Sequence, residues 1–277
     1  NREWGGEPVQ AGARGDMGCG RDGKKYDGYH EGVGRNGKYT VVAEGCRCNR
    51  GKPIEEKFAL RKEADPQVYG IGLKELWELK PEKHKAGLVV HTAGWPLDGQ
   101  TYGGSFLYHL ENNQVAVGFV VGLGYSNPYL APYEEFQRYK THPAIRTFFE
   151  GGKRIAYGAR AITAGGLQSL PKLTVPGGVL VGDDAGFLNA SRIKGSHCAI
   201  KSGMMAAEAA FDALQAGRSK DELTAYPEAF RPSWRVGALY RALTFTPWPS
   251  KGLDPGPPLV GLDQLVFGGP DRSECGR

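Results

Sequence analysis

A short apolar run, Val179-Leu180-Val181, leads into Gly182-Asp183-Asp184-Ala185-Gly186-Phe187-Leu188-Asn189. A buried strand that ends in Gly-Asp places a carboxylate at its C-terminal end, where ligands sit in α/β folds. Such an acid accepts hydrogen bonds from sugar-like hydroxyls, and the glycines let backbone approach a flat ligand. The helix expected next, Ser196 to Leu214, aims its positive N-terminal end back at the turn, which suits a partial negative charge. A flavin offers both features, hydroxyls on its chain and charge on its reduced ring. A strand–turn–helix with an Asp cap explains the same residues without a ligand.

Two further glycine turns bring backbone into play. Glu44-Gly45 halts the strand candidate Lys38 to Ala43, and Gly103-Gly104 precedes the strand candidate Ser105 to Leu110. Each also reads as an ordinary strand-ending turn or hairpin pair. His197, at the start of the long helix, and His91 and His109, within strands, read as capping or packing residues. The cysteines, Cys19, Cys46, Cys48, Cys198 and Cys275, are odd in number, and the C-x-C at Cys46 has no matching second pair. That argues against a disulfide framework and a four-thiolate metal centre, and for reduced structural thiols in a reducing compartment.

The elements that must position these residues follow from pattern. Residues 1–37 are rich in Gly, Asp, Arg and Lys without sustained periodicity and read as loop. A short helix is expected from Pro53 to Leu60. Strands are expected over Tyr69–Leu79, Gly87–Gly94, Ser105–Leu110 and Gln114–Leu123, the last two joined by a hairpin at Glu111-Asn112-Asn113. Together they predict an antiparallel sheet, followed by helices at Tyr133–Lys140 and Ala144–Glu150. On the long helix, Ala199, Ile200, Gly203, Met204, Ala207, Ala210, Phe211 and Leu214 form an apolar, small-residue face that something should pack against. Prolines at 247, 249, 255, 257, 258 and 270 argue against a compact helical ending.

Net charge is +5 over 277 residues with no block of one sign, which does not form the basic stripe of a nucleic-acid binder. No run of 18 or more apolar residues is present, so no segment reads as a membrane-spanning helix. Peripheral attachment stays open.

The stretch Gly182 to Asn189, with Arg192-Ile193-Lys194-Gly195-Ser196-His197 and Lys201-Ser202-Gly203-Met204, is similar to the late FAD-binding motif of electron-transfer flavoprotein–ubiquinone oxidoreductases. The same family is suggested by Pro66 to Trp77, by Gly94-Trp95-Pro96-Leu97-Asp98, and by Thr101 to His109. Asn127-Pro128-Tyr129-Leu130 and Gly151 to Arg160 complete the set. The resemblance runs from about Gly15 to Leu214 and thins afterwards, with an echo from Ser233-Trp234 to Tyr240, and beyond Thr244 the Pro-rich sequence drifts from it.

The resemblance implies an α/β (α+β) fold, part of an FAD-binding domain interleaved with an antiparallel quinone-binding domain. The expected boundaries are 1–65, a partial FAD-binding segment; 66–165, the quinone-binding sheet; 166–216, the late FAD-binding strand, loop and helix; and 217–277, a Pro-rich, possibly membrane-contacting ending. It implies that Asp183 and Gly182 hold the ribityl chain of FAD. Gly186, Phe187, Leu188 and Asn189 would lie beside the ring, and Glu44-Gly45 would lie near the dinucleotide. Gly103 and Gly104 would line the ubiquinone headgroup, with Ser105 or Tyr102 as donor and Phe106, Leu107, Phe119 and Val121 as walls.

Reduced electron-transfer flavoprotein, ubiquinone and a membrane surface are the implied partners, with no nucleic acid. The implied location is the cytoplasmic face of a bacterial inner membrane or the matrix face of the mitochondrial one. Two family features are not found: the strand–G-x-G-x-x-G–helix that cradles the FAD pyrophosphate, and the cysteine set of a 4Fe–4S cluster. The expectation is therefore a fragment of the quinone-reducing flavoenzyme. The alternatives are a flavoprotein reductase of an isoprenoid lipid and a non-catalytic, membrane-peripheral remnant unable to hold FAD.

Overall fold

The computed structural model describes residues 37–46, 51–189 and 195–230, Leu239, and the backbone of four short strands before residue 37. Of those strands, β1 (Val9–Gln10) pairs with β4 (Gly34–Arg35), and β2 (Met17–Cys19) with β3 (Lys25–His30). The loop expected over 1–37 is corrected at these positions: a two-stranded ladder forms through backbone groups and needs no apolar alternation. The Pro-rich stretch beyond residue 230 lies outside the described residues, apart from Leu239.

The described residues from 37 onward divide into two compact units, and the chain leaves the first to build the second before returning. The first holds residues 37–46, 51–65, 167–189 and 195–230. Its sheet has the order β11 (Thr174–Val175), β12 (Gly178–Leu180), β5 (Thr40–Val42). Strand β12 pairs antiparallel with β11 and parallel with β5, in the register Gly178 to Thr40 and Leu180 to Val42. Helices α1 (Gly51–Lys57), α4 (Ser196–Gln215) and α5 (Ala225–Phe230) belong to the same unit.

Helix α4 spans the expected residues but buries a different face. Cys198, Ser202, Met205, Ala206, Ala209 and Ala213 are inside, while Ile200 is 65% and Phe211 60% exposed. Both sets follow helical spacing. The Ala206-Ala209-Ala213 stripe lets the helix approach its neighbours closely, and that approach turns the larger apolar residues outward.

The second unit holds residues 66–166. Its sheet has the order β10 (Lys153–Thr163), β6 (Tyr69–Glu78), β9 (Gln114–Gly122), β8 (Gly103–His109), β7 (Val89–Ala93), antiparallel throughout. Asn112 and Asn113 both take positive φ, at 54° and 56°, which gives the β8–β9 turn the twist that a tight hairpin requires. Helices α2 (Pro132–Thr141) and α3 (Pro143–Phe149) supply Phe136, Tyr139, Ile145 and Phe149 to a core with Leu107, Val115, Val117, Phe119 and Val121. By strand alternation, the opposite sheet face carries Gly104, Phe106 and Tyr108 of β8 and Ala116, Gly118 and Val120 of β9.

One acid sits inside this core. Glu75 is 2% exposed and accepts hydrogen bonds from Lys140 Nζ (2.7 Å), Trp77 Nε1 (2.7 Å) and Arg154 Nη1 (3.1 Å). Burial pushes its carboxyl up. The bonds from Lys140, Trp77 and Arg154, together with the Lys140 charge, more than offset that and hold it below the usual glutamate value. Lys140 also lies over the Trp77 and Phe136 rings, at 5.2 and 4.9 Å from their centroids. The cluster ties β6, β10 and α2 together.

Candidate functional site

The parallel register of β5 and β12 puts two strand ends side by side. Glu44-Gly45 leaves the end of β5, and the 3-10 turn Gly182–Asp184 leaves the end of β12. The Glu44 amide donates to Asp184 Oδ2 at 2.8 Å, joining turns 140 residues apart in sequence. Gly45, Gly182 and Gly186 take φ of 91°, 62° and 92°, a region that side chains other than glycine rarely adopt. The Gly182 amide donates to Ser202 Oγ (2.9 Å), and the Ser202 hydroxyl donates to the Ala199 carbonyl (2.8 Å). A Cβ on Gly182 would lie 3.4 Å from that of Ala199, so the turn is seated against the first turns of α4.

Within this stretch the two acids differ. Asp184 is 5% exposed and braces Glu44, whereas Asp183 is only half-buried. Sequence reasoning weighed Asp183 and passed over Asp184; the doubled acid was the available signal. Phe187 is 1% exposed, and its ring packs 5.0 Å from that of Phe230. Asn189 is equally buried, while Leu188 is half-buried. Gly186 is buried as well, so a ligand running along this stretch would meet Asp183 and Leu188 rather than the Phe187 ring. The arrangement can receive hydroxyls at Asp183 and a partial negative charge near the N-terminal end of α4. His197 places Nε2 3.4 Å from Cys198 Sγ.

In the second unit, the two glycines of β8 are required by the sheet itself. A Cβ on Gly103 would come 2.5 Å from the Val120 carbonyl oxygen and run into the Leu97 side chain, and one on Gly104 would come 2.6 Å from the Thr92 carbonyl oxygen. Their close approach is to neighbouring strands. Leu107, Phe119 and Val121, expected as quinone walls, are fully buried beneath α2 and α3 and cannot line an open site. The cause is parity: Leu107 and Phe106 are adjacent on one strand and so point to opposite faces. Ser105 is also on the covered side and hydrogen-bonds Thr92 Oγ1.

Phe106 lies on the sheet face opposite α2 and α3, half-buried. Its ring lies where a Cβ of residue 118 would stand, so Gly118 is what lets it lie flat on the sheet. It stacks on Tyr108 with centroids 4.8 Å apart and planes 25° apart. The Tyr108 hydroxyl lies 3.3 Å from His91 Nε2. The result is a planar aromatic surface with a hydroxyl–imidazole pair at one end, suited to a flat ring bearing carbonyl oxygens. The Phe-x-Tyr alternation facing a glycine was the sequence signal for it. Tyr102, the other expected donor, is 37% exposed, and the buried part of its side chain raises the phenol above its usual value. His109 is buried, with Nδ1 accepting from the Lys85 amide (3.1 Å), so it packs as expected.

Cys46 and Cys198 are buried, and among the described residues no group of three or more His, Cys, Asp or Glu could hold a metal ion.

Comparison with known proteins points in one direction. Residues 69–162 match the family described as ETF-QO, ubiquinone-binding. The chain is 55% identical over 258 residues to the electron transfer flavoprotein–ubiquinone oxidoreductase of Pseudomonas aeruginosa, covering 92% of this chain and 47% of that protein. It is 46% identical to the mitochondrial protein of that name from Oryza sativa, over 93% of this chain and 44% of the relative. The Rattus norvegicus protein is 52% identical, over 85% and 39%. The chain thus spans about half the length of the curated relatives it matches. Among solved structures, a geranylgeranyl bacteriochlorophyll reductase-like protein from Thermoplasma acidophilum shares the fold with TM-score 0.58 and 17% identity, over 85% of this chain and 56% of that one. The flavin-dependent brominase Bmp2 does so with TM-score 0.53 and 18% identity, over 86% and 57%.

Proposed function

We propose that this chain, a member of the electron transfer flavoprotein–ubiquinone oxidoreductase family, supplies the quinone-binding sheet and two FAD-contacting turns of an enzyme that passes electrons from reduced electron transfer flavoprotein to ubiquinone. The observation that carries this reading is the match of residues 69–162 to the ubiquinone-binding family, which covers β6 to all but the last residue of β10. Asp183 would accept hydroxyls of the ribityl chain. Leu188 would run along the ring, and Glu44-Gly45, braced by Asp184, would address the dinucleotide side. FAD, when bound, supplies the electron carrier between a protein donor and a quinone. The Phe106–Tyr108 surface would stack on the quinone headgroup, and Tyr108 with His91 would hold protons near its carbonyl oxygens.

Activity, donor and quinone belong, in this reading, to a polypeptide of family length. Its remaining half would bring the glycine-rich turn for the pyrophosphate and the thiolates of a 4Fe–4S cluster, since the buried Cys46 and Cys198 do not fit one. Attachment is proposed to be peripheral, on the cytoplasmic or matrix face; no described helix is long and apolar enough to cross a membrane. The isoprenoid-lipid alternative shares the fold alone, at 17% identity.

The test is FAD affinity. In the protein of family length, Asp183→Ala is expected to weaken FAD binding by about 1–3 kcal/mol, the cost of leaving a buried polar partner unpaired. The chain by itself should hold FAD weakly, because nothing in the two turns receives the pyrophosphate charge. Unchanged affinity in the variant would remove Asp183 from the site, and a tightly yellow isolated chain would overturn the argument about the pyrophosphate.

A further inference from the structure

Four adjacent strands bring one cross-strand row of residues onto the sheet face opposite α2 and α3. His91 of β7 stands opposite Phe106 of β8, Phe106 opposite Gly118 of β9, and Gly118 opposite Lys74 of β6. Directly paired residues share a face, so the row reads imidazole, phenyl ring, glycine, ammonium. The Phe106 ring lies over Gly118, which carries its far edge from β8 toward β6. Lys74 therefore stands beyond that ring, on the side away from His91.

Both ends of the row, His91 and Lys74, are exposed. The residue paired with Lys74 on β10 is Gly158, and a Cβ there would meet nothing within 4 Å. A hollow of about 610 Å³, lined in part by Lys74, Leu76, Ala156 and Gly158, opens at the same place. No acid lies in the row. Glu75 points to the other face, where it is buried and bonded to Lys140 and Arg154. Glu78 is exposed on Lys74's own face, opposite Lys153 and Gln114, four residues along β6 and so about 13 Å away. On β10, Arg160 shares the face and stands opposite Gly72. An exposed lysine on a sheet is ordinarily a solvated charge; a place at the far edge of an aromatic platform gives this one a second use.

We propose that Lys74 is the second polar anchor of the quinone site, its ammonium donating to one ring oxygen while the Tyr108–His91 pair serves the oxygen at the opposite end. Lys74 in this role depends on the Phe106–Tyr108 surface being the headgroup site, and adds to it a selection for rings with two opposed oxygens. Three strand spacings separate His91 from Lys74, about 14 Å at the backbone. A six-membered ring with an oxygen at each end, and a hydrogen bond of about 3 Å on either side, fits within that span. Lysine only donates, so it favours a carbonyl acceptor, whereas the hydroxyl–imidazole pair both donates and accepts. A phenol with a single ring oxygen would take the Tyr108–His91 end and leave Lys74 unused.

The probes are duroquinone, whose methylated ring carries two opposed oxygens, and the tetramethylphenol of the same ring pattern, which keeps one of them. Binding of each to the protein of family length, kept oxidised so that no turnover occurs, is measured by calorimetry. The wild type is expected to prefer duroquinone roughly tenfold or more, the scale of one hydrogen bond to a charged group. Lys74→Met keeps an unbranched side chain of similar length without the charge, and should erase that preference by weakening duroquinone alone. Lys74→Arg should keep it, and Phe106→Ala should weaken both probes together. If Phe106→Ala weakens both but Lys74→Met changes neither, the proposal is overturned while the headgroup reading stands. If Phe106→Ala leaves both unchanged, the headgroup reading falls and the role of Lys74 with it. Equal weakening of both probes by Lys74→Met also overturns the proposal, because a general loss of packing does not tell one oxygen from two.

Discussion

Replacing Glu75 with Ala is expected to destabilise the sheet unit by about 3–5 kcal/mol, the scale for breaking a buried ion pair from one side. Lys140, whose side chain is only 12% exposed, would lose the carboxylate 2.7 Å from its ammonium. The Trp77 indole N–H would lose its acceptor at the same time. For a unit of this size the loss corresponds to a fall in Tm on the order of 10–20 °C. The pH dependence has a fixed sign. Because the folded state holds the carboxyl below its usual value, its contribution is complete above the unfolded glutamate pKa of about 4.3 and is lost as pH falls through the lower folded value. Thermal melts from pH 7 to pH 3 should therefore converge for wild type and Glu75→Gln at the acid end. A constant gap across that range would mean that the ion pair contributes nothing titratable.

Gly104→Val is expected to remove quinone reduction, and to do so by breaking the sheet. Its Cβ would stand 2.6 Å from the Thr92 carbonyl oxygen and 3.7 Å from Ala93 Cα, on the strand that β8 pairs with. Overpacking of a fitted interior costs typically about 1–3 kcal/mol and sometimes more, and here the obstacle is backbone that cannot swing aside. A lowered Tm and loss of strand signal should accompany the lost turnover. Were the variant to melt like wild type while losing only quinone reduction, the glycine would be lining a headgroup after all.

Much of the sheet unit was legible. Tyr69–Glu78, the hairpin about Asn112-Asn113 and both short helices fall within a residue or two of expectation, because buried strands and amphipathic helices write their period into the sequence. Strand β10 was seen only as a run of family-like residues. It lies on an exposed edge, so neither face carries the apolar alternation that marks a strand. Glu75 could not be picked out, since its charged partners stand 65 and 79 residues away. The two candidate turns were each readable as strand ends. That they are neighbours depends on the parallel register of β5 and β12, which local pattern does not encode. The choice among quinone walls failed on strand parity, and the face of α4 on the preference for small residues where helices approach closely.

The central claim, that the sheet face opposite α2 and α3 receives the quinone, is tested most directly at Phe106. In the protein of family length, reduction of the flavin by the donor protein and its reoxidation by quinone are separable half-reactions, each followed by flavin absorbance. Phe106→Ala removes the ring that lies over Gly118 and stacks on Tyr108, and a buried Phe contact is worth about 1.5–3 kcal/mol. Quinone-driven reoxidation at subsaturating quinone should slow roughly ten- to a hundredfold, while reduction by the donor protein keeps its wild-type rate. Equal slowing of both half-reactions, or reoxidation at the wild-type rate, would contradict the account.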